Sequence, residues 1–365
     1  MSFHDNLAVY IHWPYCKSKC PYCDFYKELS GKEDQNRIID SYLESLEKYH
    51  QMLPNKRVQS IFFGGGTPSL IEPRNVARVI DFIVQKWKIC DRVEISLEAN
   101  PNTYGSSLFK DFHNAGINRL SLGVQALNDA DLKFLGRTHN VEMARLCLEE
   151  TVKIFDNHSA DLIYARPNQS VEQWQNELAE MSSYGLKHLS FYQLTIEPGT
   201  VFARKNVQTP DEEQAALMYN FTRDFLARQG YEHYEISNFA QPNYRSVHNL
   251  TYWQGGDYIG IGKSAHGRFC LNKQYIAAQY PFELLPLTPE ERAEELIIMG
   301  LRLIDGIDKT LFKKLCGLDF ESVINRHNCA MLKEQGLICE NDQIIRLTYD
   351  GVLLCDYVVL KLCSL

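Results

Sequence analysis

The feature that most constrains the fold is an alternation, repeated six times between Leu7 and about Arg228, of a short β-rich run with a longer segment of helical periodicity. Ala8–His12, Val58–Phe63, Val93–Glu98, Arg119–Val124, Ala160–Tyr164 and His188–Leu194 read as strands. Ile38–Met52, Asn75–Lys86, Gly105–Asn114, Val141–Phe155, Val171–Ser183 and Asp211–Gln229 read as the helices between them. A parallel pair needs a crossover, a helix supplies it, and a right-handed series of such units curls into a barrel. Six units predict an α/β fold built on a partial (β/α)6 TIM-like barrel rather than a complete eight-fold one.

After Gly230 the alternation stops. Tyr231–Gln279 is rich in Tyr, Asn, Gly and His and reads as strand and loop closing one side of the barrel. Prolines spaced over Pro281–Pro289 suggest a linker. Beyond it Glu290–Leu303, Lys309–Leu315 and Phe320–Lys333 read as helices, followed by two short strands around Gly336–Leu347 and a final helix from Tyr349. Helices followed by a hairpin suggest a small winged-helix-like module. The expected organisation is therefore residues 1–230, 231–285 and 286–365.

Thirty-eight basic against forty-six acidic residues give a net charge of -8, so no global field draws in a polyanion and nucleic acid is not an expected partner. With 45% hydrophobic residues among 365, a sizeable core is available. No Lys or Arg precedes the first apolar run, and no uncharged apolar stretch reaches the roughly 18 residues that span a bilayer. A cytoplasmic protein is expected, monomer or homodimer, with peripheral membrane contact left open. In such a reducing compartment eleven cysteines do not make a disulfide framework, which turns attention to metal and redox chemistry.

Three of those thiols stand close together, in Cys16-Lys17-Ser18-Lys19-Cys20-Pro21-Tyr22-Cys23, directly after the first expected strand. Such spacing lets one loop wrap a metal or an iron–sulfur cluster. A structural zinc wants a fourth ligand, and two residues further on the chain offers Phe25. Three thiolates instead leave one iron of a 4Fe-4S cubane open; a zinc-binding interaction module is the non-redox alternative. Cys90, Cys147, Cys270, Cys316, Cys329, Cys339, Cys355 and Cys363 are dispersed and read as buried packing residues.

On the cysteine triplet and its place after the first strand, the chain resembles the radical S-adenosylmethionine (SAM) superfamily. The resemblance implies that SAM chelates the open iron and that an electron from the 4Fe-4S cluster cleaves it to methionine and a 5′-deoxyadenosyl radical. It further implies SAM contacts along the strand ends. Gly65, Gly66 and Thr67 lie in the glycine run after the second strand. Glu98 ends the third strand, Gln125 ends the fourth and Asp161 opens the fifth. Arg137 is placed to pair with the SAM carboxylate, and Tyr10 and Tyr22 complete the set. No residue is assigned a catalytic role.

Within that superfamily the chain is similar to the coproporphyrinogen-oxidase group, on Tyr10-Ile11-His12, Gly64–Pro68, Gly123-Val124-Gln125, Asp161–Tyr164, Gly260-Ile261-Gly262 and Ala265–Arg268. The group divides into an oxygen-independent oxidase and a branch of heme chaperones. Phe25 in place of a fourth cysteine, the nine residues before Tyr10, and His248-Asn249-Leu250-Thr251-Tyr252-Trp253 all resemble the chaperones. That branch implies heme as ligand and a heme-accepting apoprotein as partner. His248 is the candidate axial ligand, Tyr252 and Trp253 are candidates to cover the macrocycle, and His266 is a second ligand candidate. The alternative activity is coproporphyrinogen III oxidation by decarboxylation of propionates. Ala165-Arg166 stands where the group usually has glycine and leucine, and Lys263-Ser264 replaces the usual Pro-Gly. Both added charges are expected near the barrel mouth, where heme propionates would meet them.

Overall fold

The structure, a computed structural model, describes residues 5–31, 33–103 and 107–363. Six strands, β1 (Asn6–Trp13), β2 (Arg57–Gly65), β3 (Lys88–Ala99), β4 (Arg119–Gln125), β5 (Asn157–Tyr164) and β6 (His188–Gln193), lie side by side in chain order and run parallel. The principal crossover helices are α1 (Gln35–Met52), α2 (Pro73–Lys86), α3 (Leu108–Asn114), α4 (Val141–Ile154), α5 (Val171–Ser183) and α6 (Glu212–Arg228). Their starts follow local chemistry: Asp34, Asn140, Ser170 and Asp211 each accept a backbone N–H of the first turn, and Pro73 opens α2 where its missing N–H costs nothing. The expected start of the third helix at Gly105 lies outside the described residues; the helix runs from Leu108.

Each strand separates two environments. In β4, Leu120, Leu122 and Val124 join the core beneath the helices, while Arg119, Ser121, Gly123 and Gln125 line cavities inside the barrel. In β3 the same alternation puts Ile95 and Leu97 in the core and Glu98 on the cavity. The apolar layer between sheet and helices therefore carries the fold, and the barrel interior is lined by polar and aromatic groups.

The segment expected to close one side builds both edges instead. On the β6 edge, β7 (Glu232–Glu235) and β8 (Asn238–Ala240) form a hairpin with β8 antiparallel to β6. On the β1 edge, β9 (Tyr258–Ile261) pairs parallel to β1, and β10 (His266–Leu271), β11 (Gln274–Gln279) and β12 (Glu283–Pro286) extend it antiparallel. One twelve-stranded sheet results, ordered β12-β11-β10-β9-β1-β2-β3-β4-β5-β6-β8-β7. Helix α7 (Val247–Trp253) links its two ends. The stretch read as a linker thus carries β12, and strands of three or four residues are too short to announce themselves by periodicity.

The C-terminal part packs α8 (Pro289–Gly300), α9 (Lys309–Cys316), α10 (Arg326–Glu334) and α11 (Cys355–Cys363) with a three-stranded antiparallel sheet, β13 (Ile307–Asp308), β15 (Ile344–Leu347) and β14 (Ile338–Glu340). Asn325 caps α10, which splits the single helix expected over Phe320–Lys333. Cys147, Cys316, Cys329 and Cys355 are buried as expected. Cys90, Cys270 and Cys363 are partly covered, and Cys339, facing outward between buried Ile338 and half-buried Glu340 on an edge strand, is exposed.

Two of the departures from the group pattern keep the backbone a glycine would adopt: Ala165 has φ 56 and Ser264 has φ 63. An L-residue there costs about 1 kcal/mol or more. Ser264 is exposed, so Ser264→Gly is expected to raise the melting temperature by about 2 °C. Ala165 is fully buried in the core, and Ala165→Gly gives up a methyl worth about 0.8 kcal/mol, leaving the melting temperature nearly unchanged. Calorimetry of the two variants checks this; destabilisation by Ser264→Gly would contradict it.

Candidate cofactor and ligand site

The cysteine loop leaves β1 and is tied down at both ends. Tyr15–Cys16 pairs in parallel with Glu28–Leu29, Glu28 N donates to Pro14 O at 2.7 Å and Ser30 N to Cys16 O at 2.9 Å. The glycine run leaving β2 packs against it: Gly66 N donates to Trp13 O at 2.7 Å and Thr67 N to Tyr15 O at 2.9 Å. Only glycine suits this contact. Gly65 has φ +111, a Cβ on it would stand 2.5 Å from the His12 ring, and one on Gly66 would stand 2.8 Å from the Pro14 backbone.

Thr67 Oγ1 donates to Cys16 Sγ at 3.4 Å and Arg137 Nη1 to Cys20 Sγ at 3.7 Å. Arg137 also donates to Gly123 O and Asn100 Oδ1, which fixes its guanidinium beside the thiols. A cavity of about 430 Å³ opens here. Cys16, Cys20, Cys23 and Tyr22 form one wall, and Gly65, Gly66, Thr67, Glu98, Gln125, Arg137 and Asp161 form the others. All the expected cluster and SAM positions except Tyr10 therefore share one space. Asp161 reaches it from the middle of β5, not from its start. Tyr10 lies in a second cavity with its hydroxyl 3.0 Å from His12 Nδ1, because β1 turns its side chain into the barrel below the glycine run.

The donor set suits an iron–sulfur cluster. Three thiols open on the cavity, Phe25 is 67% exposed where the group's fourth cysteine would stand, and among the described residues no group of three His, Cys, Asp or Glu, these thiols included, is drawn closely enough together to hold a single metal ion. Burial pushes the Cys16 thiol up in pKa, with the Thr67 hydroxyl pulling the other way. Burial and the neighbouring Asp161 push Glu98 up to about 8, against the Gly65 N–H and Arg119. Burial pushes Asp161 up to about 6, against hydrogen bonds from Ser190 and Ser121. Burial opposes the Arg137 charge, but Tyr22 and Cys20 outweigh it and the guanidinium is held more firmly protonated.

A second cavity of about 500 Å³ joins the first, sharing Phe25, Glu98, Ser121, Asp161 and Tyr192 with it. Its walls are aromatic, with Tyr10, Phe62, Tyr252, Trp253 and Tyr258, and its inner end is polar, with Arg119, His188 and Ser190. The candidate heme residues collect here. His248 is not in a loop: it sits in the first turn of α7, 1% exposed, stacked on Phe62 at 4.9 Å. Both its ring nitrogens are engaged, Nδ1 with Ser60 Oγ at 2.9 Å and Nε2 with Tyr252 Oη at 2.5 Å. Burial, helped by Arg119, depresses its pKa to about 3, so the ring is neutral. Trp253 lies beneath the Arg302 guanidinium at 4.7 Å. His266 begins β10, exposed at the cavity mouth.

Arg166 departs from expectation. It is 1% exposed, bonded to Glu177 Oε2 at 2.5 Å and to Asp131 at 3.0 Å, and serves the packing of α5 rather than the mouth. Lys263 is exposed and pairs with Glu28 at 2.8 Å. The residues sequence reading passed over are Arg119, Ser121, His188 and Ser190. Their signal was present as strict alternation of polar with apolar residues in Arg119-Leu120-Ser121-Leu122 and His188-Leu189-Ser190-Phe191.

Comparison with known proteins agrees with this geometry. The family model of the Radical SAM superfamily matches residues 10–181, and that of the HemN C-terminal domain matches residues 287–354. The chain is 36% identical to Heme chaperone HemW of Buchnera aphidicola over 92% of this chain and 93% of that protein. It is 33% identical to Radical S-adenosyl methionine domain-containing protein 1, mitochondrial, of Danio rerio, over 97% of this chain and 86% of that one. Among solved structures, coproporphyrinogen III oxidase HemN of Escherichia coli superposes with a TM-score of 0.83 at 20% identity, covering 100% of this chain and 91% of that one, a likeness of fold. The chain belongs to the radical SAM superfamily, in the group that holds HemN and HemW. Membership implies a 4Fe-4S cluster and SAM, in agreement with the three thiols and the cavity beside them.

Glu98 yields a pH-dependent prediction. The folded carboxyl keeps its proton up to about 8 while the unfolded chain releases it near 4.5, so stability of the cofactor-free protein falls as pH rises through that window. Glu98→Gln has no such proton to lose and keeps an oxygen for Gly65 N–H. Between pH 5 and 8, melting curves should show a shallower decline for the variant, by on the order of a few kcal/mol at the upper end. Parallel declines would mean that Glu98 titrates as an exposed glutamate does.

Proposed function

We propose that the protein is a heme chaperone of the HemW type, which binds heme beside a SAM-ligated 4Fe-4S cluster and hands it to an acceptor protein. The observation that carries this reading is the 36% identity to a heme chaperone across 92% of the chain. The aromatic cavity beneath α7 supports it, since a planar macrocycle finds the faces of Phe62, Tyr252 and Tyr258 there. Cys16, Cys20 and Cys23 would hold the cluster, which when bound with SAM supplies a reducing electron to the sulfonium. Gly65, Gly66, Thr67, Gln125 and Arg137 would hold the amino-acid end of SAM, with Glu98 and Asp161 further along the same wall. Tyr10 instead backs the heme cavity.

His248 is the proposed axial ligand. Its imidazole is neutral, as iron ligation requires, but Tyr252 Oη occupies Nε2, so that hydroxyl must turn away before iron is bound. His266, exposed at the mouth, is the second proposed ligand, suited to first contact or to release. The acceptor is an apoprotein not defined by this chain. The proposed units remain residues 1–230, 231–285 and 286–365. Among the described residues no helix is long and apolar enough to cross a membrane. The continuity of the two cavities favours one second reading, since oxidation of a porphyrinogen propionate also needs substrate next to SAM.

Anaerobic titration of the cluster-loaded protein with heme, followed by absorbance, tests this. About one heme per chain should bind, at least about tenfold more weakly in His248→Ala and no more weakly in Tyr252→Phe. No saturable binding, together with anaerobic turnover of coproporphyrinogen III, would replace the chaperone by the oxidase. Replacing Cys16, Cys20 and Cys23 together by serine should abolish iron and sulfide while retaining heme binding. Zinc without iron or sulfide in the anaerobically isolated wild type would refute the cluster.

A further inference from the structure

The inner end of the second cavity contains buried donors with nothing to donate to. Arg119 is 2% exposed, yet it makes one hydrogen bond, from Nη2 to Ser159 Oγ at 3.1 Å, and its Nε is unpartnered among the described residues. The nearest carboxylate, Glu94, stands at 3.8 Å, beyond hydrogen-bond reach. Its oxygens are taken by the first turn of α7, accepting Val247 N at 3.2 Å, His248 N at 3.0 Å and Ser246 Oγ at 3.4 Å.

His188 stands beside this guanidinium, 1% exposed, since Ser159 pairs with it across β5 and β6. Tyr234 Oη accepts from Ser246 N at 3.3 Å and shares a hydrogen bond with His188 Nε2 at 2.7 Å, in which either the phenol O–H or the imidazole N–H donates. Burial, with Arg119 adding to it, keeps the imidazole neutral with one proton, and a carboxylate at Nδ1 selects the tautomer in which Nδ1 donates to it and Tyr234 donates to Nε2. Among the described residues that Nδ1 has no partner. The Nε–H of a permanent cation and an adjacent ring nitrogen able to carry a proton, both on residues that line the cavity and both without a partner among the described residues, form a receptor for an anionic oxygen pair.

We infer that Arg119 and His188 form a carboxylate subsite, which receives one carboxylate arm of an acidic planar macrocycle whose ring lies against Phe62, Tyr252 and Tyr258. The inference rests on the heme reading above and adds an orientation to it: the ring enters arm first, with one propionate at the floor of the barrel. The side toward the first cavity carries Glu98 and Asp161, so a carboxylate arm directed there meets repulsion from Asp161 and settles at the inner end.

The test compares ferric heme with its dimethyl ester, in which both carboxylates are blocked, on the cluster-loaded wild type, Arg119→Lys and His188→Gln. Arg119→Lys keeps the charge beside Glu94 and removes the fork; His188→Gln keeps an oxygen for Tyr234. In the wild type the free acid should bind at least about tenfold more tightly than the ester, and in each variant the preference should fall to about threefold or less through weaker binding of the acid alone. Equal binding of acid and ester by the wild type would overturn the subsite and assign the donors to buried water, leaving the heme reading intact. Equal loss of both ligands in variants that keep the wild-type circular dichroism would make Arg119 and His188 purely structural, again overturning the subsite. Binding of neither ligand by the wild type would overturn the heme reading and the subsite together.

Discussion

The polarity of the inward strand positions governs this molecule. A closed barrel ordinarily fills its interior with branched apolar side chains in layers. Here the corresponding positions are Ser60, Glu98, Arg119, Ser121, Asp161, His188 and Ser190, and such groups do not collapse into a dry core. The sheet therefore stays rolled but open. Its stability comes from the outward face, where Ile61, Leu97, Leu122, Leu162 and Leu189 meet the helices. Space inside is the consequence, and Arg119 Nε and His188 Nδ1 have no hydrogen-bond partner there among the described residues.

Glu94 couples that interior to the segment that spans the opening. It leaves β3 and accepts two backbone N–H groups and a hydroxyl from the start of α7, where the helix dipole favours a negative charge. Each such charge-assisted bond contributes about 1.5–3 kcal/mol when buried. Because α7 also carries His248 and Tyr252, the same carboxylate sets the rotation of the histidine over Phe62. A ligand that engages His248 thus pulls on an element anchored in the barrel wall, and Arg119, next along that wall, feels the same field. The second cavity and the fold are consequently not separable by mutation at Glu94, whereas Tyr252 changes the access to Nε2 without touching the anchor.

The sequence was most legible where cause and effect are close along the chain. The spacing of Cys16, Cys20 and Cys23, the glycines after β2, and the strand-then-helix rhythm all lie within a few residues of the structure they specify. The six parallel strands were readable for that reason, whereas the gathering of Glu98 and Gln125 at neighbouring strand ends with Arg137, in the loop between Phe134 and Val141, was expected from the family resemblance. The short strands β7 to β9 were not readable, since three or four residues give too little periodicity and the pairing of β8 with β6 and of β9 with β1 is set at long range. His248 was misread as a loop residue because its partners are Ser60, 188 positions away, and Glu94, 154 positions away. Arg166 looked like a surface cation because nothing local reveals that Glu177 turns back to meet it. The inner polar row was readable in principle: period-2 alternation marks two faces, but nothing local says that the face of Arg119 and His188 looks into the barrel.

The wall shared by the two cavities gives their order a physical meaning. Both carboxyls, Glu98 and Asp161, are buried; burial and the Asp161 charge push Glu98 up to about 8, while burial pushes Asp161 up to about 6. Near neutral pH one of the two keeps its proton, so the partition presents about one negative charge and one hydroxyl donor. Arg119 lies deeper in the barrel and pulls both carboxyls down. An acidic ligand entering beneath α7 therefore meets attraction at the inner end and repulsion at the cysteine end. A cofactor with hydroxyl groups on the other side finds a hydrogen-bond donor and an acceptor on the same wall. A single carboxyl pair thus separates the two cavities by charge while leaving them joined, an arrangement that an apolar barrel interior does not provide.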